Sequence, residues 1–317
     1  MKKFFFCAAA AIVALASCSK TQVVYSGAPE EISFKAVTGA ITKAEQKETL
    51  EGDMGVFAFV NKTSDVYFEN KQFTGTTVWT GGQYWPLQSN LDFVVYAPFG
   101  SASYRDKTLT VSGVDNTGKT TIDGQTDYMY GAEYYDDTDG KGYSKERVAT
   151  NLKHALAKVT LNFFGSNVTV NSVSLETPTL KGSYTVNYGV EAPSVPVADW
   201  GNPAAEATNL QLTEISDAEL AEAVVDDPNT ADVNEAVLAK TASVSIMVVP
   251  AADSDILITY TINGTDDELD AEIPLTGTWA TGTHYIYNIT ITPDVIEFSA
   301  PSVNNWSTGT GSDTTIS

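Results

Sequence analysis

Residues 159–163 read Val159-Thr160-Leu161-Asn162-Phe163, an apolar residue at every second position with Thr and Asn between. Side chains of an extended strand point alternately to opposite faces, so this period predicts a strand with one face buried. Two later segments repeat the pattern. Val244, Ile246 and Val248 alternate with Ser243, Ser245 and Met247, and Tyr285, Tyr287, Ile289 and Ile291 lie opposite Ile286, Asn288, Thr290 and Thr292. Further strands are predicted at 31–37, 54–60, 91–97, 108–112, 127–132, 168–175, 183–188, 255–262, 269–275 and 294–298. Thr, Val, Tyr and Ile fill these runs, while Gly, Asn and Asp separate them, with Asp123-Gly124 and Asn263-Gly264 as tight-turn dipeptides. Many short strands without intervening helices indicate all-β sandwiches rather than a parallel sheet. One segment departs from this pattern. Residues 214–239 are rich in Ala and Glu and predict short helices at Asp217–Val225 and Val233–Ala239, interrupted at Pro228.

The 317 residues carry 18 Lys+Arg against 40 Asp+Glu, a formal net charge of -22. Such a chain repels a polyanion, which excludes nucleic acid as a partner. Two Cys and two His supply neither a disulfide framework nor a Cys-rich or His-rich metal centre. The acidity is concentrated: from Gly182 to Ser317 there are 21 acidic residues and the single base Lys240. Eight of those carboxylates lie in 214–239 and read as a solvated, self-repelling loop.

Residues 1–17 form a secretory signal: Lys2 and Lys3, then an apolar run from Phe4 to Leu15 too short to span a bilayer. Leu15-Ala16-Ser17-Cys18 closes it and resembles the lipobox of bacterial lipoproteins, in which the Cys is acylated and becomes the new N-terminus. Cys7 leaves with the signal, and residues 18–30 read as a polar tether. The body divides into an N-terminal sandwich at 31–165 and an acidic C-terminal sandwich at 166–317.

Catalytic signatures do not emerge. His154 and His284 have no carboxylate, Ser or second His in local register, and both read as structural residues at strand ends. No nucleophile elbow, phosphate-binding glycine loop or HExxH helix occurs. The segment Asp136-Asp137-Thr138-Asp139-Gly140 aligns with a calcium loop through Asp137, Asp139, Gly140 and Glu146. Tyr135 stands where the first ligand belongs, so a hairpin turn is the expectation. The chain reads as a non-enzyme without cofactor or metal.

Several segments, taken in order, resemble the fimbrillin family, the lipoprotein pilins of Bacteroidales. They are Cys18, Ile32-Ser33-Phe34, Thr42-Lys43-Ala44, Gly55-Val56-Phe57-Ala58-Phe59, Trp79, Tyr84-Trp85-Pro86, Leu91–Pro98, Asp127–Gly131 and His154–Val159, with a late Trp306. The resemblance implies two tandem transthyretin-like β-sandwich domains and export as a lipoprotein to the outer membrane. It further implies that a trypsin-like protease removes the N-terminal segment and first strand, and that a strand of another subunit fills the vacated groove. Carried onto this chain, the removable strand is about Glu31–Val37 with Ile32 and Phe34 facing inward. The cut follows Lys43, with Lys35 and Lys47 as secondary sites. The donor strand lies around Ile296, Phe298 and Val303. Relatives often present Arg at the cut, whereas the first Arg here is Arg105. The implied partners are other pilin subunits, in a homo- or hetero-polymer, the maturation protease and the outer membrane. An alternative is an uncleaved surface lipoprotein or tip adhesin binding host protein or glycan through exposed aromatics. Trp79, Trp85, Trp200 and Trp279 are the candidates, although the expectation for these four is burial in the sandwich cores.

Overall fold

The structure is a computed structural model that describes residues 30–38, 50 and 52–306, apart from 62, 64, 87–88, 135–146, 190–194, 221–223, 227–235, 239, 253 and 276. The first strands are β1 (Glu31–Thr38), β2 (Met54–Val60), β3 (Val66–Gly75), β4 (Trp79–Tyr84), β5 (Leu91–Ala97), β6 (Ala102–Arg105), β7 (Thr108–Asp115), β8 (Met129–Glu133) and β9 (Val148–His154). The chain continues with β10 (Ala157–Gly165), β11 (Val168–Leu175), β12 (Lys181–Asn187), β13 (Ala198–Asp199), β14 (Leu210–Gln211), β15 (Ala218–Leu220), β16 (Val224–Asp226) and β17 (Ala236–Leu238). It ends with β18 (Ala242–Val248), β19 (Ile256–Ile262), β20 (Glu268–Ile273), β21 (Thr283–Ile291), β22 (Ile296–Phe298) and β23 (Ser302–Asn305). A single 3-10 turn at Ile122–Gly124 is the one helical element among the described residues, so the fold class is all-β.

Seven strands close on themselves in the order β1-β4-β3-β2-β5-β8-β9. Their inward residues form one core that includes Ile32, Phe34, Met54, Val56, Phe73, Trp79, Trp85, Phe93 and Val148. Two further sheets, β18-β10-β21 with β22 and β23, and β14-β11-β19-β20 with β15, face each other across a second core. In this core the 159–163 alternation is realised: Val159, Leu161 and Phe163 are buried, while Asn162 is half-buried on the opposite face. A fourth sheet, β13-β12-β7-β6, joins strands from both halves of the chain. It packs on a third core with Phe57, Tyr96, Tyr184 and Trp200.

The helices expected in 214–239 are absent among the described residues, and strands replace them. Ala218–Leu220 pairs with β11, setting Leu220 opposite Val168 and fully out of solvent, and β16 pairs with β17. Helix propensity is a weak prior, and an available strand edge with an apolar seat for Leu220 overrides it.

Gly55 shows why a glycine opens the Gly-Val-Phe-Ala-Phe strand. A Cβ there would lie 2.0 Å from Cε1 of Tyr96, whose hydroxyl donates to Asn70 Oδ1 at 2.7 Å while its ring crosses the glycine. Burial pushes the pKa of that hydroxyl up.

Candidate functional site

The sequence Glu31-Ile32-Ser33-Phe34-Lys35 alternates, and the strand it forms divides its side chains accordingly. Ile32 and Phe34 are 0% exposed, whereas Glu31 and Lys35 face solvent. The Phe34 ring meets Phe73 edge-to-face at 5.1 Å and 87° and Phe93 at 5.2 Å and 85°. Such pairs add roughly 0.5–1.5 kcal/mol beyond the area they bury. Trp79, opposite Phe34 on β4, is itself fixed by its indole N–H, which donates to the Gly52 carbonyl at 2.9 Å.

The backbone of β1 is paired on both sides. It runs antiparallel to β4, with Glu31 opposite Tyr84, Ser33 opposite Thr80 and Phe34 opposite Trp79, and the register shifts between Glu31 and Ser33. Along its other edge it runs parallel to β9, from Phe34 opposite Val148 to Thr38 opposite Leu152. Two further bonds hold its start: Trp85 N–H donates to the Glu30 carbonyl and Gly82 N–H to the Glu31 carboxylate, both at 2.9 Å. This one strand therefore closes the barrel between β4 and β9. A barrel without it has two unpaired edges facing each other across an apolar slot, and such edges are templates for an added strand.

Ile296, Phe298 and Val303 lie on the outer edge of the other core's sheet. Both β22 and β23 pair antiparallel with β21, with Ile296 opposite Ile291, Phe298 opposite Ile289 and Val303 opposite Tyr285. Phe298 is 37% exposed and stacks on Tyr287 at 5.6 Å and 16°. The Tyr287 hydroxyl accepts the Trp279 indole N–H at 3.0 Å. Ile296 packs against the second core, so the structure keeps these residues apart from Ile32 and Phe34, which sit in the barrel core. Lys35 lies within β1, opposite Ala149 of β9. Cys18, Lys43, Lys47 and the acidic 136–142 segment fall outside the described residues.

His154 has the carboxylate partner that local sequence did not reveal. Its Nδ1 lies 2.7 Å from Asp127 Oδ2, a residue 27 positions earlier, and its ring stacks flat on Trp306 at 3.9 Å and 2°. No local spacing signals a contact between residues so far apart in the chain. His284 Nε2 lies 2.8 Å from Thr160 Oγ1, which in turn contacts Ser245 Oγ at 2.7 Å. The four tryptophans considered for glycan contact, Trp79, Trp85, Trp200 and Trp279, are all buried core residues. They offer no aromatic platform at the surface. The carboxylates of Glu176, Asp255 and Glu272 approach within 4.8 Å of one another, with Asp255 Oδ1 already accepting the Leu275 N–H.

Among solved structures the chain is similar to a fimbrial protein from Bacteroides vulgatus, at 15% identity and a TM-score of 0.51, covering 87% of this chain and 99% of the other. It is likewise similar to a presumptive cell adhesion protein from Bacteroides ovatus, at 14% identity and a TM-score of 0.51, covering 88% and 99%. At these identities the likeness is one of fold. No curated protein sequence matches the chain. One family's sequence model does, over residues 42–306 and hence most of the length, and by that match the chain belongs to the fimbrillin-like family.

Proposed function

We propose that this protein is a fimbrial subunit of the cell surface that assembles by strand addition. Family membership supports the fimbrial or adhesion role. The observation that carries the assembly step is the seat of β1: an eight-residue strand, paired on both edges and contributing the fully buried Ile32 and Phe34, closes the barrel. In this reading the precursor is exported with Cys18 acylated and held on the outer membrane. Several acyl chains, at about 0.8 kcal/mol per buried methylene, hold a protein where one chain would be marginal. A Lys-tolerant protease then cuts after Lys43, which lies between β1 and β2 in the chain. Loss of the segment frees both neighbours of β1, and a strand of another subunit, drawn from the region of Ile296, Phe298 and Val303, fills the slot. Alternating apolar side chains in that strand take the positions of Ile32 and Phe34.

The state of the N-terminus in cells tests the pathway. Mass spectrometry of protein recovered from the membrane is expected to find an acylated Cys18, and protein recovered from sheared surface fibres is expected to begin at Ala44. Fibres composed of chains that still carry Cys18 would defeat the cleavage step.

A further inference from the structure

The first and the last of the described strands are both tied to one short crossing of the chain. The last residue of β9, the parallel neighbour of β1, is His154. Past it the chain runs through the buried Ala155 and Leu156 into β10, passing from the barrel to the second core. The His154 ring, 2% exposed, lies flat on the indole of Trp306, the residue that follows β23. The Trp306 N–H donates to the Gly282 carbonyl at 2.8 Å, and the Gly282 N–H donates to the Leu156 carbonyl at 2.9 Å. Gly282 has φ +65°, and a Cβ there would lie 3.3 Å from the His154 carbonyl oxygen, so a glycine lets the chain entering β21 come this close to the crossing. The Ala155 carbonyl accepts the Trp200 indole N–H at 2.8 Å, and the Ala155 N–H donates to the Tyr128 carbonyl at 2.7 Å, which fixes the crossing.

We propose that the His154–Trp306 stack is a latch coupling the seating of β1 to the retention of β23. The functional meaning of the latch rests on the assembly reading above. With β1 in place, β9 is paired over Val148–Leu152 and presents His154 in a fixed plane. Trp306 stacks on it and holds Ser302–Asn305 against β21. When β1 leaves, β9 retains on its ladder only the two pairs with β8, Met129 opposite His154 and Tyr130 opposite Lys153. The His154 ring then keeps its Asp127 contact and the Met129 pair but loses the paired backbone that leads into it, so the stack weakens and β23 detaches more often. A subunit whose groove is still filled thus keeps its own last strand at home. His154 and Trp306 act as positioning residues, and the coupling runs both ways, because linkage between two sites is reciprocal.

Hydrogen exchange on the full chain tests this without protease or polymer. Phe34→Ala loosens β1, and exchange of the Ser302–Asn305 amides is expected to rise about tenfold, the range of ordinary coupling between sites. In a Trp306→Leu background, where β23 already exchanges fast, Phe34→Ala should add nothing. Trp306→Leu alone should speed exchange along β1. Amides of β19 on the far sheet serve as the control for folding. If Phe34→Ala disturbs those as well, the milder Ile32→Val carries the same comparison. Unchanged β23 exchange in the loosened variant, or an equal rise in both backgrounds, would overturn the latch. A chain that shows the coupling yet never polymerises after cleavage would instead retire the assembly reading and leave the latch standing.

Discussion

Replacing Phe34 by Ala is expected to destabilise the barrel by about 3–5 kcal/mol, the usual cost of removing a fully buried aromatic side chain. Its ring is 0% exposed and makes edge-to-face contacts with Phe73 of β3 and Phe93 of β5, neither of which pairs with β1. The position is also the point where both ladders of β1 meet, opposite Trp79 on one side and Val148 on the other. Backbone relaxation around the cavity would therefore have to move β4 and β9 together, which keeps the cost near the upper part of the range. Urea unfolding followed through tryptophan fluorescence reads it, because Trp79 and Trp85 lie in the same core and Trp85 packs against Phe93. Lys35→Ala on the same strand removes only an exposed side chain and should change stability by no more than about 0.5 kcal/mol. Equal effects at the two positions would mean that β1 is held by its backbone alone.

The second large effect concerns replacement of the strand in trans. A chain cleaved after Lys43 and stripped of its first segment should bind a peptide covering residues 30–38. The same peptide with Ser at positions 32 and 34 should bind at least about a hundredfold more weakly. Each large apolar side chain that goes from water into the core contributes roughly 1.5–3 kcal/mol, so losing two removes about 3–6 kcal/mol. Backbone pairing to β4 and β9 remains available to both peptides and cannot distinguish them. Titration with a labelled peptide reads the ratio. Near-equal affinities would show that the slot recognises backbone rather than the side-chain register on which specific assembly depends.

The sequence made β1 itself legible but hid both of its neighbours. Ile32 and Phe34 alternate cleanly with Ser33 and Lys35, and 54–60, 91–97 and 168–175 coincide with β2, β5 and β11. Strand β4 reads Trp-Thr-Gly-Gly-Gln-Tyr, with two glycines where strand formers would announce it. Strand β9 does alternate, but Thr150 and His154 occupy two of its inward positions, so polar residues interrupt the apolar signal. Thr150 is completely buried and His154 nearly so, which only the packed structure reveals. Residues 214–239 failed in the opposite sense: their local composition favours helix, and pairing of Ala218–Leu220 with β11 outweighs it. The Asp127–His154–Trp306 cluster was present in the sequence as three separate familiar segments. Nothing in a linear reading joins a residue at 127 to one at 306, because the contact exists only after β8, β9 and β23 have been laid beside the crossing at 155–156.

The central claim, that the seat of β1 is the site of subunit addition, is tested most directly by cutting the purified chain with a lysine-specific protease and following its mass in solution. Cleavage after Lys43 is expected to release the segment carrying Ile32 and Phe34 and to convert monomers into a ladder of oligomers that resists dilution. Blocking that site together with Lys47 should leave the chain monomeric. A chain that loses the segment completely and stays a folded monomer at high concentration would contradict the claim.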